Sequence, residues 1–585
     1  KTAKNTDLEL LSKNLAKDYL KKNQGIRTVD ASLTPLTDIH LRSRVLREIE
    51  PNGNIDYVYL IAAVNLLLLV VVLFNLWLNS NVIFTSNRRH YFLLRINGAG
   101  PTDILRAEIS VSLLLGTSSL LLGTAIALIT SRWFGLPLDF LSIPEILLLS
   151  FGLLLSVVVV SALPCFADLI KKSKLSINQN KNQRFSYSGV KYMLVVQYTI
   201  VFFILIQSFV MHQQMNLIAK EQIGANRDSI LVMQEQPPVV ISHFELLKQE
   251  AEKQPNIEMV SGAMQLPGNA IRDGVNLFKE RDKEGTPCPV MVTGTDFFPF
   301  FNIHPIAGTL PAQGKLTIDQ ENQMLEDKFA GKKTETNIQD EYVINEKLRK
   351  ELGYSSPEEA IGKTLRIDQF SLDYIPTGRI SAVVPDFIYS NVFEDTTPLL
   401  FLQRKMFTSC FMLRFPPGKS EIGLAELKKV WSKINPGFPF EYSLLSDTYK
   451  IVYRNEIRAQ QIVNIFTALS LMVTLLGLLV FMSFMVKARK REIGIRKVNG
   501  ASEMDILQLL NMNFLVWIGV AFVIAAPLSI ITAHRWLANF VFKTELPWWI
   551  FAGAGIAVVS ASVLLVSCQS LRASRINPVE SIQQE

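Results

Sequence analysis

The chain is short of charge. Only 19% of its 585 residues are Asp, Glu, Lys or Arg, while 49% are hydrophobic. That balance is apolar for a soluble protein, and the apolar residues are clustered rather than spread. Cysteine is scarce too: Cys165, Cys288, Cys410 and Cys568, with no ligand spacing among them. This excludes a disulfide-stapled scaffold and a thiolate zinc site. Cys288 and Cys410 share one segment, where a disulfide is permitted; with no spacing signature, two free, buried thiols are the favoured reading. The histidines (His40, His90, His212, His243, His304 and His534) are scattered, with no HExxH pair, so no metal is expected. There is no GxSxG and no nucleophile–base arrangement. Gly362-Lys363-Thr364 resembles the end of a phosphate-binding loop, but Pro357 stands where the first glycine is required. The chain is therefore not expected to be a catalyst.

The apolar runs lack charge at their centres, which argues against a proton- or sodium-driven carrier. Their polar residues are Asn65 and Asn75, with small groups at Gly116, Ser118, Ser119, Gly123, Gly553 and Gly555. These read as helix-packing faces. Seven runs span about 20 residues or more, enough to cross a bilayer: 57–78, 108–130, 143–166, 190–212, 462–486, 509–533 and 547–570.

The net charge of +7 is not a nucleic-acid footprint, because of where the cations lie. One set of loops holds Arg88, Arg89, Arg95 and Arg106, then Lys171, Lys172, Lys174, Lys181 and Arg184. The same side receives Lys487, Arg489, Lys490, Arg491, Arg496, Lys497, Arg572 and Arg575. The opposite short loops hold Arg132, Arg535 and Lys543. The basic side is cytosolic by the positive-inside rule, so residues 213–460 lie outside, in a segment long enough to fold. There, His243–Gln254 and Gly423–Ile434 read as helices, Glu341–Gly353 as a strand into a helix, and Arg379–Phe387 as a strand into a turn. Strands and helices without strict alternation give an α+β domain.

Two halves repeat. Asn97–Leu105 (NGAGPTDIL) aligns with Asn499–Leu507 (NGASEMDIL) at a constant offset of 402, with the same order of spans around it. The span at 190–212 has no twin. No leader precedes Lys1, so the natural N-terminus is expected to lie upstream and to supply an eighth span.

Lys487–Val498 has good helix formers and a Glu492–Arg496 pair at i,i+4. Asn499-Gly500 supplies a stop, and Ser502 with Asp505 a new helix start. Gly494, inside the helix, suggests a close backbone approach. The residues alone leave two readings open: a topogenic loop touching anionic lipid heads, or a helix that docks on a protein.

Arg491–Ser502 (REIGIRKVNGAS) resembles the signature of the FtsX/MacB superfamily of ABC-transporter permeases. The long, two-halved FtsX-like permeases of the Bacteroidetes type are similar over nearly the whole chain. The supporting stretches are Leu33–Leu60, Val343–Ile367, Val383–Phe387 and Tyr453–Ile462. The resemblance implies an α-helical membrane protein with duplicated transmembrane units at 57–180 and 462–585 and a stalk helix at 190–212. It also implies a MacB-like periplasmic α+β domain at 213–460 and the remnant of a first periplasmic domain at 1–56. In each half a coupling helix would seat on a separate cytosolic ATPase. The residues carried over are Arg491, Glu492, Gly494, Arg496, Lys497 and Gly500, and in the first half Arg89, Arg95 and Gly98. There His90 replaces the Glu, Phe92 the Gly and Leu94 the Arg, so unequal docking is expected.

The implied function is mechanotransmission in the inner membrane of a bacterium, with two ATPase copies per chain. ATP and magnesium would sit on the ATPase, and no cofactor is expected in this chain. Efflux or lipoprotein or peptide handling would be the work, with a periplasmic adaptor or outer-membrane channel as a further partner. Regulation of cell-wall hydrolases and an ATPase-free scaffold are the alternatives. A peptide-sensing receptor coupled to a histidine kinase fits less well, since such chains have more spans.

Overall fold

The computed structural model describes residues 8–22, 31, 33, 35, 39, 55–134, 143–170, 187–221, 227–268, 271, 273–279, 285–311, 316–330, 332, 339–368, 373, 375–389, 397–488 and 490–574. The basic stretch 171–186, Arg489, Arg575 and most of 23–54 lie outside the described residues. Packing divides the chain into two units. One comprises Lys1–Tyr57, Gln214–Arg458 and Leu537–Thr544; the other comprises Val58–Gln213, Ala459–Trp536 and Glu545–Glu585.

In chain order the first helices are α1 (Leu8–Lys22), α2 (Ile55–Ser86), α3 (Arg88–Ile96), α4 (Pro101–Phe134), α5 (Ile143–Ile170) and α6 (Tyr187–Glu221). The strands then run β1 (Ile230–Met233), β2 (Met259–Ala263), β3 (Gly274–Lys279), β4 (Thr286–Val292), β5 (Ala307–Gly308), β6 (Asp340–Asn345), β7 (Thr364–Asp368), β8 (Thr377–Val384), β9 (Leu400–Leu402), β10 (Cys410–Arg414) and β11 (Ser443–Leu444). Among them lie α7 (Phe244–Glu252), α8 (Ile318–Phe329), α9 (Glu346–Glu351) and α10 (Ser420–Ile434). The chain closes with α11 (Arg454–Ala488), α12 (Lys490–Val498), α13 (Glu503–Leu537) and α14 (Trp548–Ser574).

Among the described residues, seven helices are long and apolar enough to cross a membrane, and each overlaps one of the seven apolar runs. The spanning helices overrun those runs by a turn or more, because helix geometry continues where apolarity stops. Lys487 and Ala488, for instance, end α11 instead of opening the basic helix. The most buried span is α6, which enters the core with α11, α13 and α14 through Tyr198, Phe202, Phe481, Ala521, Ala525 and Val558. In lipid, polar side chains must find partners inside the protein. Tyr198 and Ser562 accordingly share a hydrogen bond of 3.0 Å, and Gln207 donates to the Ser529 carbonyl at 3.0 Å.

A tighter polar contact joins the first helices of the two repeats. Asn75 of α2 donates to the Val473 carbonyl of α11 at 2.9 Å and accepts from Gln197 of α6 at 3.2 Å. It fits because residue 477 is glycine. A methyl group there would overlap the Asn75 amide oxygen and lie 2.5 Å from its Cγ.

The other unit carries two sheets. The smaller, ordered β11-β1-β10-β2, is antiparallel throughout. Its strands β1 (ILVM) and β10 (CFMLR) are buried except for the half-buried Arg414, with α7 and α10 packing Leu247, Ala251, Leu427 and Trp431 onto Leu231, Phe411 and Leu413. The larger sheet is ordered β5-β8-β6-β9-β4-β3-β7, and β7 pairs again with β8. Strand β8 meets β6 on one edge and, on the other, β7 over Thr377–Arg379 and β5 over Ala382–Val383. The ring β8-β6-β9-β4-β3-β7 therefore closes on itself. Closure pairs the strand edges and leaves an interior filled by Val275, Leu277, Val290, Tyr342, Ile344, Leu365, Ile380 and Leu400. Cys288 and Cys410 are both free and buried, and burial pushes the Cys288 thiol up to about 12, so it is inert at neutral pH.

Helix α8 begins at a capping box: Thr317 Oγ1 accepts from Gln320 N at 3.3 Å, and Gln320 Oε1 accepts from Thr317 N at 2.9 Å. Thr317→Ala is expected to destabilise that turn by about 1 kcal/mol. Amide exchange in the first turn of α8 should accelerate ~5-fold, with β1 and β10 unchanged. Unaltered exchange there would mean that the cap contributes nothing.

Candidate functional site

Each repeat turns a corner after its first span, and both corners are built alike. Helix α3 ends at Asn97; Gly98 takes φ +91°, and Ala99 N donates to the Leu94 carbonyl at 3.0 Å. Helix α12 ends at Val498, one residue before Asn499; Gly500 takes φ +89°, and Ala501 N donates to the Arg496 carbonyl at 3.0 Å. In the first corner Gly98 N also bonds the Arg95 carbonyl at 3.1 Å, which completes a Schellman close. A left-handed residue is obligatory there, and Gly carries no Cβ penalty.

The next helix starts two residues on. Asp505 accepts from Ser502 N at 2.9 Å, while Ser502 Oγ accepts from Asp505 N at 3.2 Å. Hydrogen bonds from the Ser502 side chain and backbone hold the Asp505 carboxyl below its usual range. In the first corner Asp103 accepts from Gly100 N at 2.8 Å, but glycine offers no hydroxyl in return. The second corner is thus the more firmly capped.

Both corners are seated by the same two positions. Tyr91 and Ile104 are buried with Cys165, packed by Phe84 and Leu94. Their counterparts 402 residues on, Ile493 and Ile506, are buried beside Met485 and Phe514. Opposite that seat each corner exposes an apolar pair: Leu93 and Ile96 in the first, Ile495 and Val498 in the second. These are again equivalent positions. A reading centred on charge passed over them; the repeat offset would have found them.

Among the expected site residues, Glu492 and Arg496 form the anticipated i,i+4 pair at 3.2 Å, both about half exposed. Gly500 and Gly98 occupy the two turns. Gly494 is buried in α12. Arg95 is half-buried, and its Nε is sealed from solvent without a partner among the described residues. Arg89, Arg491 and Lys497 lie on α3 and α12, but their side chains are outside the described set. Gly362-Lys363-Thr364 forms the turn from the short helix Pro357–Ala360 into β7. A strand follows it, so no helix N-terminus is available to hold a phosphate. Among the described residues no His, Cys, Asp and Glu cluster suited to a metal occurs.

Residues 62–174 and 464–578 each match the family of the FtsX-like permease C-terminal domain. The matches begin 402 residues apart, and each contains one corner. Both repeats of the chain thus match the same FtsX-like permease domain family. No curated protein matches it. Among solved structures, one similar chain is the extracellular domain of the noncanonic ABC-type transporter YknZ from Gram-positive bacteria. The identity is 10%, over 37% of this chain and 98% of that one, with a TM-score of 0.24. Another is a domain of a putative permease protein from Porphyromonas gingivalis, 16% identical over 37% of this chain and 88% of that one, TM-score 0.23.

Proposed function

We propose that this chain is the membrane subunit of a MacB-like ABC system and works by mechanotransmission. In this reading the two FtsX-like domains place α3 and α12 on the cytosolic side, where each seats on one copy of a separate ATPase. ATP and magnesium belong to that ATPase. Movement of the corners passes along the first span of each repeat and α6 to the unit holding β1–β11, in the periplasm of a bacterium with an inner membrane. The work is efflux or the handling of a lipoprotein or peptide.

One observation carries the reading. A short helix closed by a left-handed glycine, with a buried seat and an exposed apolar pair, is built twice, at equivalent positions. A loop serving only topology needs positive charge, not a repeated seat and knob. An apolar pair rimmed by charge is the usual make-up of a protein-docking patch.

Co-expression with an ABC ATPase encoded beside this chain, followed by purification in nanodiscs, provides the test. The expected result is a complex with two ATPase copies per chain and hydrolysis stimulated several-fold over the ATPase alone. A chain that purifies alone and leaves hydrolysis unchanged would be an ATPase-independent scaffold, and the proposal would fail.

A further inference from the structure

The unit with the two sheets contains a cavity of about 60 Å³ between the smaller sheet, the closed ring and the start of α8. By the volume one water needs, that is room for about four to six water-sized groups. Its apolar lining is Phe244, Leu316 and Ile375, and its polar lining includes Thr293, Thr408 and Glu321. The cations that border it are committed. Lys248 pairs with Asp296, Arg404 with Asp340, and Lys405 with Glu245 at 3.4 Å. Arg404 is also only 1% exposed and donates to the Gln403 carbonyl.

Glu321 is different. It is 4% exposed and lines the cavity, yet it forms no ion pair among the described residues. It accepts a hydrogen bond from Met406 N at 3.0 Å. A carboxylate removed from water without a cation is costly, and an apolar residue would serve packing better at that place. Glu321 sits in the first turn of α8, where Asp319 already complements the helix dipole, so capping does not require it.

We propose that this cavity binds a primary ammonium group on a short aliphatic stem, with Glu321 as its counter-ion and Phe244, Leu316 and Ile375 around the stem. The size admits a stem of four or so carbons and excludes a bulky ligand. Such a group occurs on a free alkylamine and on a lysine side chain. The chemistry is shared, and the source is for experiment to separate. The site stands on the cavity alone and is independent of how the membrane domains are driven.

Burial raises the Glu321 carboxyl above its ordinary value, opposed by backbone N–H groups of Met406 and Lys405 and by the Arg404 and Lys405 charges. The other charged groups around the cavity are Glu245, Lys248, Asp296, Asp340 and Glu341. Below its raised pKa Glu321 is neutral and must release a proton to take a cation. Ammonium affinity should therefore rise with pH and level off above that pKa.

The test uses the full chain in detergent and titration calorimetry with n-butylammonium, n-butanol and butyrate. Saturable binding is expected for n-butylammonium alone, at least 10-fold weaker in Glu321→Gln. In the wild-type chain at mildly acidic pH, the heat should depend on the buffer's ionisation enthalpy, which reports the released proton without any variant. A lysine-containing tripeptide capped at both ends separates the sources. If it competes with n-butylammonium, the cavity takes lysine side chains; if it does not, the cavity takes free amines. Equal binding of n-butanol, tighter binding of butyrate, or unchanged affinity in a folded Glu321→Gln chain would overturn the site.

Discussion

Gly477→Ala is expected to destabilise the membrane unit by about 2 kcal/mol, more than an Ala-for-Gly exchange in a helix should do. Helix propensity alone predicts a gain of up to about 1 kcal/mol. The opposite sign comes from Asn75, whose amide occupies the space above Gly477. The added methyl would lie 2.5 Å from Asn75 Cγ and 3.1 Å from its Nδ2. Asn75 must therefore leave, and its bonds to the Val473 carbonyl and from Gln197 go with it. Asn75 is 6% exposed and Gln197 2%, so water cannot replace those bonds. A double-mutant cycle isolates the effect. With Asn75→Ala in place the methyl meets open space, and Gly477→Ala should become neutral or stabilising. The coupling should reach about 1–2 kcal/mol, at the upper end for polar contacts in membranes. Thermal melts in one detergent supply the numbers. Additive losses would show that the notch does not hold Asn75 as described.

That contact also marks how far the sequence could be read. Asn75 was visible as a polar residue within an apolar run, and Gly477 lies at its repeat-equivalent position. The offset of 402 therefore names the pair, but only a structure shows that equivalent positions of two repeats face each other. Spans were legible because crossing a bilayer demands an unbroken apolar run, a local property. The corners were legible for the same reason: Asn-Gly turns and the Ser502–Asp505 cap are encoded within four residues. Ring closure in the larger sheet was not. It depends on β7 and β3 finding each other across more than 80 residues, and on β8 serving two edges at once. Nothing in the alternation of any one strand signals its partner. Glu321 was equally silent, since a carboxylate in the first turn of a helix looks like an ordinary dipole complement. Only its burial beside a cavity sets it apart.

Charge reversal at the two corners should be unequal. Arg496→Glu is expected to weaken ATPase binding at least ~10-fold, and Arg95→Glu less than ~3-fold, within the range seen when interfacial charges are reversed. The difference follows from exposure and chemistry. Arg496 is half exposed at the tip of a helix whose Glu492 orients it through a 3.2 Å ion pair. Arg95 is half-buried with its Nε enclosed, and the position matching Glu492 is His90, which offers no carboxylate. Part of any loss in Arg496→Glu would come from repulsion by Glu492, worth ~0.5 kcal/mol at i,i+4. The swap Glu492→Arg with Arg496→Glu removes that contribution while leaving the reversed charge at the tip. If the swap restores binding, the helix needed only its internal pair; if it does not, Arg496 meets the ATPase directly, which is the expected result. The apolar pair predicts a second asymmetry. Ile495→Glu and Leu93→Glu should cost similar amounts, because both are about half exposed at equivalent positions. Unequal corners for charge and equal ones for apolar contact would identify a common knob with a one-sided clamp. Equal losses for Arg496→Glu and Arg95→Glu would leave the two corners interchangeable and remove the clamp.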